Sequence, residues 1–175
     1  MGQISAVDIK KLWYAEPLTE ALTGATLKTL LGTAKEIKNV HQDTWTIEED
    51  EASQESYKNQ LTGATYRMGA KTMGDVRYNF TLGRYDYALK AEFMGGTGED
   101  GSWARARGIV DVKKCIIALT EDDQYAILPE AAISAREANT DGAVGIAVVA
   151  TMLEPENEDV MPEYWFDKSE VDSAS

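Results

Sequence analysis

Hydrophobic and polar residues alternate most regularly just before the middle of the chain. Every second residue there is apolar, with arginine, asparagine and threonine between, and this period of two predicts a strand with one buried face. The apolar positions are Val76, Tyr78, Phe80 and Leu82. We therefore expect this strand to line the core.

The hydrophobic period changes after Gly83. Large apolar residues then recur every fourth position, which places them on one face of a short helix. Asp86 suits the N-cap, and Gly95 followed by Gly96 suits a left-handed stop. The stretch predicts a strand, a tight turn, a helix and a glycine stop, and the residues on the helix face are Tyr85, Leu89 and Phe93.

Similar signals predict further elements along the chain. Thr23 is a candidate N-cap for a helix that reaches Ala34. Lys113 and Lys114 mark a change of phase that is typical of a β-bulge. The pattern predicts a mainly β fold with short helices, an antiparallel β-sandwich or barrel flanked by a helix, with an open α+β sheet as the alternative. The expected strands cover residues 9–14, 37–49, 64–68, 109–120, 124–128, 131–138 and 143–153.

Residues 50–60 interrupt this pattern because nearly all of them are polar or charged. Such a segment buries no face, so we expect a long solvent-exposed excursion between strands, and long excursions often carry function. Residues 61–65 then repeat residues 22–26 letter for letter. The flanking residues differ, so we infer no duplication.

Length and charge suggest one domain and an acidic end. A chain of 175 residues suits a single domain that buries roughly 70% of its unfolded surface. We expect a β domain over residues 1–153 and an acidic tail over residues 154–175, which hold eight acids and one lysine of a chain with net charge −13. No apolar run approaches the roughly 18 residues of a membrane helix, and the first residues lack the basic start of a signal peptide. These features predict a soluble protein without a membrane partner.

The acidic balance also limits the partners. A protein that binds duplex DNA needs clustered lysine and arginine to neutralise phosphates, and no such cluster occurs in the sequence. Acidic surfaces repel nucleic acid, which suits a surface that DNA passes without adhering.

The residues for catalysis are almost absent. His41 is the only histidine and no Gly-x-Ser-x-Gly motif occurs, while one histidine and one cysteine are too few for an ordinary zinc site. We interpret His41 as a polar strand residue and Cys115 as a core residue. A glycosidase needs two carboxylates at a set distance in space, and the spacing of acids along the sequence does not report that distance. The expectation is a protein that is not an enzyme, needs no cofactor or metal, and has a structural or interaction role.

Residues 78–86 have the sequence Tyr-Asn-Phe-Thr-Leu-Gly-Arg-Tyr-Asp. The predicted helix and Gly95-Gly96-Thr97 follow them, and the whole stretch resembles the tail tube (major tail) proteins of long-tailed bacteriophages. Residues 11–17, 39–45 and 61–63, with Tyr66-Arg67, resemble versions from phages or prophages of Bacteroides-type bacteria. The likeness covers residues 9 to about 155. The residues that mark it most strongly are Tyr78, Phe80, Leu82, Gly83, Tyr85, Asp86, Leu89, Phe93, Gly95 and Gly96.

The resemblance implies a subunit that assembles into rings, usually hexamers, which stack as a hollow tube for genome passage. Its partners would be further copies of itself, other tail proteins, and DNA that crosses the lumen without specific binding. It would lie in the virion tail, and in the host cytoplasm during assembly. The excursion near residues 50–60 would reach a neighbouring subunit, and its candidate contact residues are Asp50, Glu51, Glu55, Tyr57 and Lys58.

Residues 154–175 depart from the family pattern. Their acidity and aromatic cluster suggest either a segment that is disordered in the monomer or one that docks on a neighbour through Tyr164, Trp165 and Phe166. Two other functions stay open at this point. One is the tube protein of a contractile injection system, and the other is a small soluble binding module or an unrecognised hydrolase.

Overall fold

A computed structural model describes residues 3–175, which form three helices and twelve strands. The helices are α1 (Gly24–Thr33), α2 (Tyr87–Met94) and α3 (Lys168–Ser173). The strands are β1 (Ile9–Ala15), β2 (Lys35–Ile37), β3 (Thr46–Glu49), β4 (Ser53–Lys58), β5 (Thr65–Thr72), β6 (Val76–Leu82), β7 (Thr97–Glu99), β8 (Ser102–Ala104), β9 (Val112–Thr120), β10 (Gln124–Thr140), β11 (Ala143–Met152) and β12 (Tyr164–Asp167). The predicted fold class, mainly β with short helices, is confirmed.

Eight strands form one antiparallel sheet in the order β2-β1-β9-β10-β11-β6-β3, with β12 added beside β10. Strand β10 is 17 residues long. It pairs with β9 along one side through residues 125–133, and along the other side it pairs with β12 through residues 124–127 and then with β11 through residues 131–140. The turns before and after β10 contain Asp123 and Asp141 in the left-handed conformation, which aspartate tolerates better than most residues. Strands β9 and β10, and β10 and β11, therefore form two successive hairpins.

One face of this sheet encloses the first apolar cluster. The ring of Phe93 on α2 lies 5.1 Å from the ring of Tyr14 on β1 and 6.1 Å from the ring of Phe80 on β6. Three strands separate β1 from β6 in the sheet order, so one side chain reaches both because the sheet curls around the cluster. The expected sandwich or barrel flanked by a helix is confirmed.

Helices α1 and α3 cover the opposite face of β1, β9 and β10. Leu27 from α1 and Val171 from α3 are buried there against Cys115, Ile117 and Ile127, and we call this group the second cluster. These three strands are therefore covered on both faces, which explains why their sequences contain unbroken apolar runs instead of strict alternation.

The predicted strand, turn and helix around Gly83 are confirmed. The Asp86 carboxylate accepts a 2.7 Å hydrogen bond from the Leu89 amide as the N-cap of α2, and Gly95 ends the helix with a φ of 75°. A Cβ on Gly95 would also lie only 2.8 Å from Val110 Cγ1. Both the backbone conformation and the space at this position require glycine.

Residues 154–175 pack onto the domain, which differs from the tail that the sequence predicted. Strand β12 pairs with β10, Tyr164 and Phe166 pack against the second cluster, and Val171 is buried in it. Of the eight acids in this segment only Glu163 is half-buried and the other seven are exposed, so the acidic composition did not indicate a strand and a helix of the same fold. The aromatic cluster accordingly packs largely within its own chain, with Trp165 part exposed.

Two local predictions are wrong in detail. The strand expected over residues 37–49 is broken, because β2 ends at Ile37 and β3 begins at Thr46, with Asp43 in the left-handed conformation between them. The bulge expected at the lysine pair lies instead in β10, where the register shifts between Leu128 and Ala131. Pro129 lies in this stretch, and a bulge accommodates its missing N–H.

Candidate assembly surface

Strands β4 and β5 form a hairpin, residues 53–72, which we call the arm. Within the part of the chain that the structure describes, they pair only with each other. Every residue of β4 is exposed, and so is every residue of β5 except the half-buried Gly69. An isolated two-stranded hairpin is at best marginally stable in water. The arm therefore lacks the support that a buried face gives to the β9–β10 and β10–β11 hairpins.

The arm is fixed where it leaves the main sheet. Arg77 donates two hydrogen bonds to the Asp50 carboxylate, at 2.7 and 3.0 Å, and these bonds lower the pKa of Asp50. The Asp50 amide donates to the Asp75 carbonyl at 2.9 Å. A Cβ on Gly74 would lie 1.9 Å from the Asp50 carbonyl oxygen, so the two chains approach closely. This base gives the arm a defined direction.

Apolar side chains are exposed along the arm and at its tip. The turn contains Gly63 in the left-handed conformation. Leu61 beside it is 94% exposed and Tyr66 is 70% exposed, while Tyr57 and Met68 are exposed as well. Large apolar side chains that are grouped on a protrusion indicate an interaction site.

The five residues predicted for the inter-subunit loop lie on this arm or at its base. Asp50 anchors the base and Glu51 is exposed next to it, whereas Glu55, Tyr57 and Lys58 belong to β4. Their expected exposure is confirmed. The segment is nevertheless a strand, because its backbone pairs with β5, with shifts of register between Gln54 and Ser56 and between Tyr57 and Lys58, although neither face reaches the core.

The exposed residues of β5 and the turn were not predicted as contacts. Residues 64–68 had the pattern of an ordinary strand, and periodicity does not report which strands leave the domain. Net charge is the property of the sequence that distinguishes the arm from the rest of the chain. Residues 53–72 have a net charge of +2, whereas the rest of the chain has a net charge of −15.

The residues that mark the family resemblance belong to the interior and its helix. Four of them, Tyr78, Phe80, Leu82 and Phe93, are almost fully buried. They lie on β6, directly after the base of the arm, and on α2. Their packing makes the platform from which the arm projects rigid.

The other marker residues shape the ends of α2. Tyr85 and Leu89 pack at the margin of the first cluster. A Cβ on Gly83 would lie 2.8 Å from Asn39 Oδ1, and one on Gly96, whose φ is 83°, would lie 2.3 Å from the Ala104 carbonyl oxygen. These glycines allow the loops around the helix to pack closely.

Tyr78 also links the interior to the C-terminal segment. Its hydroxyl donates a 2.6 Å hydrogen bond to Glu163 Oε2. Burial, and after it the Glu163 charge, raises the pKa of Tyr78 far above its ordinary value. The hydroxyl therefore stays protonated and holds the chain before β12 against the first cluster.

The residues considered for catalysis have structural surroundings. His41 lies in the turn between β2 and β3, not on a strand, and its Nε2 is 2.8 Å from Asp141 Oδ2 at the end of the β10–β11 hairpin. Burial raises the pKa of Cys115 to about 12, which keeps the thiol neutral, and its predicted core position is confirmed. Residues 3–175 contain no group of three or more histidine, cysteine and acidic side chains that is arranged to hold a metal ion.

No model of a known protein family matches the sequence, and no curated protein matches it either. Over residues 3–175, no helix combines the length and the apolar character that crossing a membrane requires. The arm is the feature of residues 3–175 that bears most directly on function.

Proposed function

We propose that this protein is a structural subunit that assembles into rings, and that the rings stack as a hollow tube of the phage tail type. DNA would pass through the tube without specific binding. The observation that carries this proposal is the arm, an ordered hairpin with exposed apolar side chains that is anchored on a rigid domain and has no core of its own. A second subunit would supply the missing face.

The position of the arm favours rings over simple pairs. It leaves the sheet beside the edge strand β3, and the opposite edge of the sheet is β2. A contact between an arm and a different surface of the next copy is head-to-tail, and such contacts close into rings when the rotation allows it. The two short edge strands would also lie near neighbouring subunits in a ring.

The charge of the domain suits the passage of DNA. Outside the arm the chain has a net charge of −15, and ring symmetry repeats every acid around the axis. A lumen lined by acids repels phosphates, so DNA moves along it without adhering. The arm, which is the basic part of the molecule, would lie in the contacts between subunits.

The test is assembly as a function of protein concentration. We expect rings or tubes in negative-stain micrographs, and a mass that rises with concentration in light scattering coupled to gel filtration. The double variant Leu61→Ser/Tyr66→Ser should stay monomeric, because both side chains are exposed and their loss leaves the core intact. Its matched control is Ile109→Ser, which removes a fully exposed apolar side chain outside the arm and should leave assembly unchanged.

Two results would contradict the proposal. One is a wild-type protein that remains monomeric at every concentration. The other is a Leu61→Ser/Tyr66→Ser protein that forms the same rings as the wild type, with thermal unfolding showing that both are folded.

A further inference from the structure

A groove of about 410 Å³ lies between α1 and residues 18–22, which precede it. Its apolar lining comes from Leu18, Leu22, Ala25 and Leu30. The three leucines also pack against the second cluster, so the walls of the groove are supported from below by the core. The groove is thus a firm apolar surface on the outside of the domain.

The rim of this groove is acidic. Glu20 is one of its lining residues. The Asn157 side chain donates a 3.0 Å hydrogen bond to the carbonyl of Thr19, another lining residue. This bond holds Asn157 beside the segment that lines the groove, and its neighbours in the chain, Glu156 and Glu158, are both exposed.

The arm has the complementary features. Lys58, Arg67 and Lys71, offset by Glu55, give it a net charge of +2, and the three basic residues are exposed. Leu61 and Tyr66 present apolar side chains at its tip. A basic protrusion with an apolar tip matches an apolar groove with an acidic rim, and such complementarity of charge sets which surfaces meet.

We infer that the arm of one subunit docks in the α1 groove of the next, with Leu61 and Tyr66 against the apolar lining and Lys58 and Arg67 near Glu156 and Glu158. This inference rests on the proposed ring assembly and names the surface that receives the arm. The arm leaves the sheet at β3 and β6, whereas the groove lies over the face of β1, β9 and β10 that α1 covers. Each subunit therefore gives one arm and receives one, which is the head-to-tail arrangement.

Charge reversal on either side tests the pairing. Lys58→Glu/Arg67→Glu and, separately, Glu156→Lys/Glu158→Lys should each raise the concentration needed for assembly by about tenfold or more. Among residues 3–175, none of these four side chains forms an ion pair, so their reversal breaks none within the domain. An equimolar mixture of the two reversed proteins should assemble again, because the arm of the first then fits the groove of the second.

Two further variants separate docking in the groove from general charge effects. Glu99→Lys/Asp100→Lys changes the net charge as much as the groove variant does, but on β7 and its turn, and it should not alter assembly. Thr29 is exposed and lines the groove, so Thr29→Trp fills it without touching the core and should block assembly.

The outcomes distinguish the two proposals. If the wild type assembles and the arm variants do not, while Glu156→Lys/Glu158→Lys and Thr29→Trp assemble like the Glu99→Lys/Asp100→Lys control, the arm docks elsewhere and only this inference is overturned. If the wild type does not assemble, both proposals are overturned. Restored assembly in the mixture of reversed proteins would support the pairing directly.

Discussion

The β9–β10 hairpin and the arm have the same backbone pairing and opposite surroundings. Both are antiparallel hairpins with a tight turn. From Cys115 to Ala118 and from Ala126 to Leu128, each residue of β9 and β10 is fully buried, because one face meets the first cluster and the other meets α1 and α3. No residue of β4 is buried. Regular strand geometry therefore does not by itself show that a strand contributes to stability.

The difference separates the residues that fold the domain from those available to a partner. Burial of apolar surface is the main favourable contribution to folding, and the arm contributes almost none of it. The Asp50–Arg77 pair and the close approach of Gly74 to Asp50 at the base fix the direction in which the arm projects. Its exposed side chains are thus free to contribute to association instead.

The largest expected effect is that of a core substitution on the free energy of unfolding. Phe80→Ala removes a fully buried ring that contacts Phe93 and Trp45. We expect it to lower the free energy of unfolding by about 3–5 kcal/mol, measured by urea denaturation. Tyr66→Ala on the arm should change the same quantity by less than about 0.5 kcal/mol. Equal losses from the two variants would show that the arm is part of the cooperative core.

A smaller effect is expected from alkaline pH. The ordinary pKa of the Cys115 thiol is 9.0 and burial raises it to about 12 in the folded protein. The unfolded chain therefore loses this proton first as the pH rises, so the free energy of unfolding falls between pH 9 and pH 12 and is unaffected by the thiol below that range.

Cys115→Ala isolates this contribution. Between pH 9 and pH 10 the wild type should lose about 1 kcal/mol more than the variant, and the two should change in parallel between pH 6 and pH 8. Burial also raises the pKa of Tyr14, from 10.0 to about 12, but this residue titrates in both proteins, so its contribution cancels in the comparison. Parallel curves up to pH 10 would show that the centre of the sheet admits water around Cys115.

The elements that could be predicted from the sequence are those whose signals are local. The alternation in β6, the Asp86 cap and the Gly95 stop all lie within a few residues, and each one is present. The repeated pentapeptide shows the limit of local signals. In its first copy Thr23 caps α1, whereas in the second copy Gly63 adopts the left-handed conformation in the turn of the arm. Identical residues form different structures because their surroundings differ.

Elements whose partners are distant in sequence could not be predicted in the same way. Strand β12 is held by pairing with β10 and by contacts of Tyr164 and Phe166, and nothing within residues 154–175 reports these partners. The candidate site was predicted in part: polarity indicated the exposure of residues 50–60 but not that they contain a strand, a strand was expected at residues 64–68 but not its exposure, and the groove beside α1 was not predicted. A groove arises from the packing of separate segments, so no periodicity in one segment indicates it.

The free energy of local opening should be much lower for the arm than for the centre of the sheet. In dilute monomer, amide hydrogens of β4 and β5 should exchange through local openings that cost no more than about 1–2 kcal/mol, whereas those of β9 and β10 should require nearly global unfolding. Hydrogen exchange followed by mass spectrometry measures both in one sample. On assembly, protection should rise on the arm and along α1 and stay constant in β10, while Lys58→Glu/Arg67→Glu at the same concentration should keep the arm unprotected. If the dilute monomer already protects the arm as strongly as β10, the arm has support within its own chain, and its exposed side chains no longer point to a second subunit.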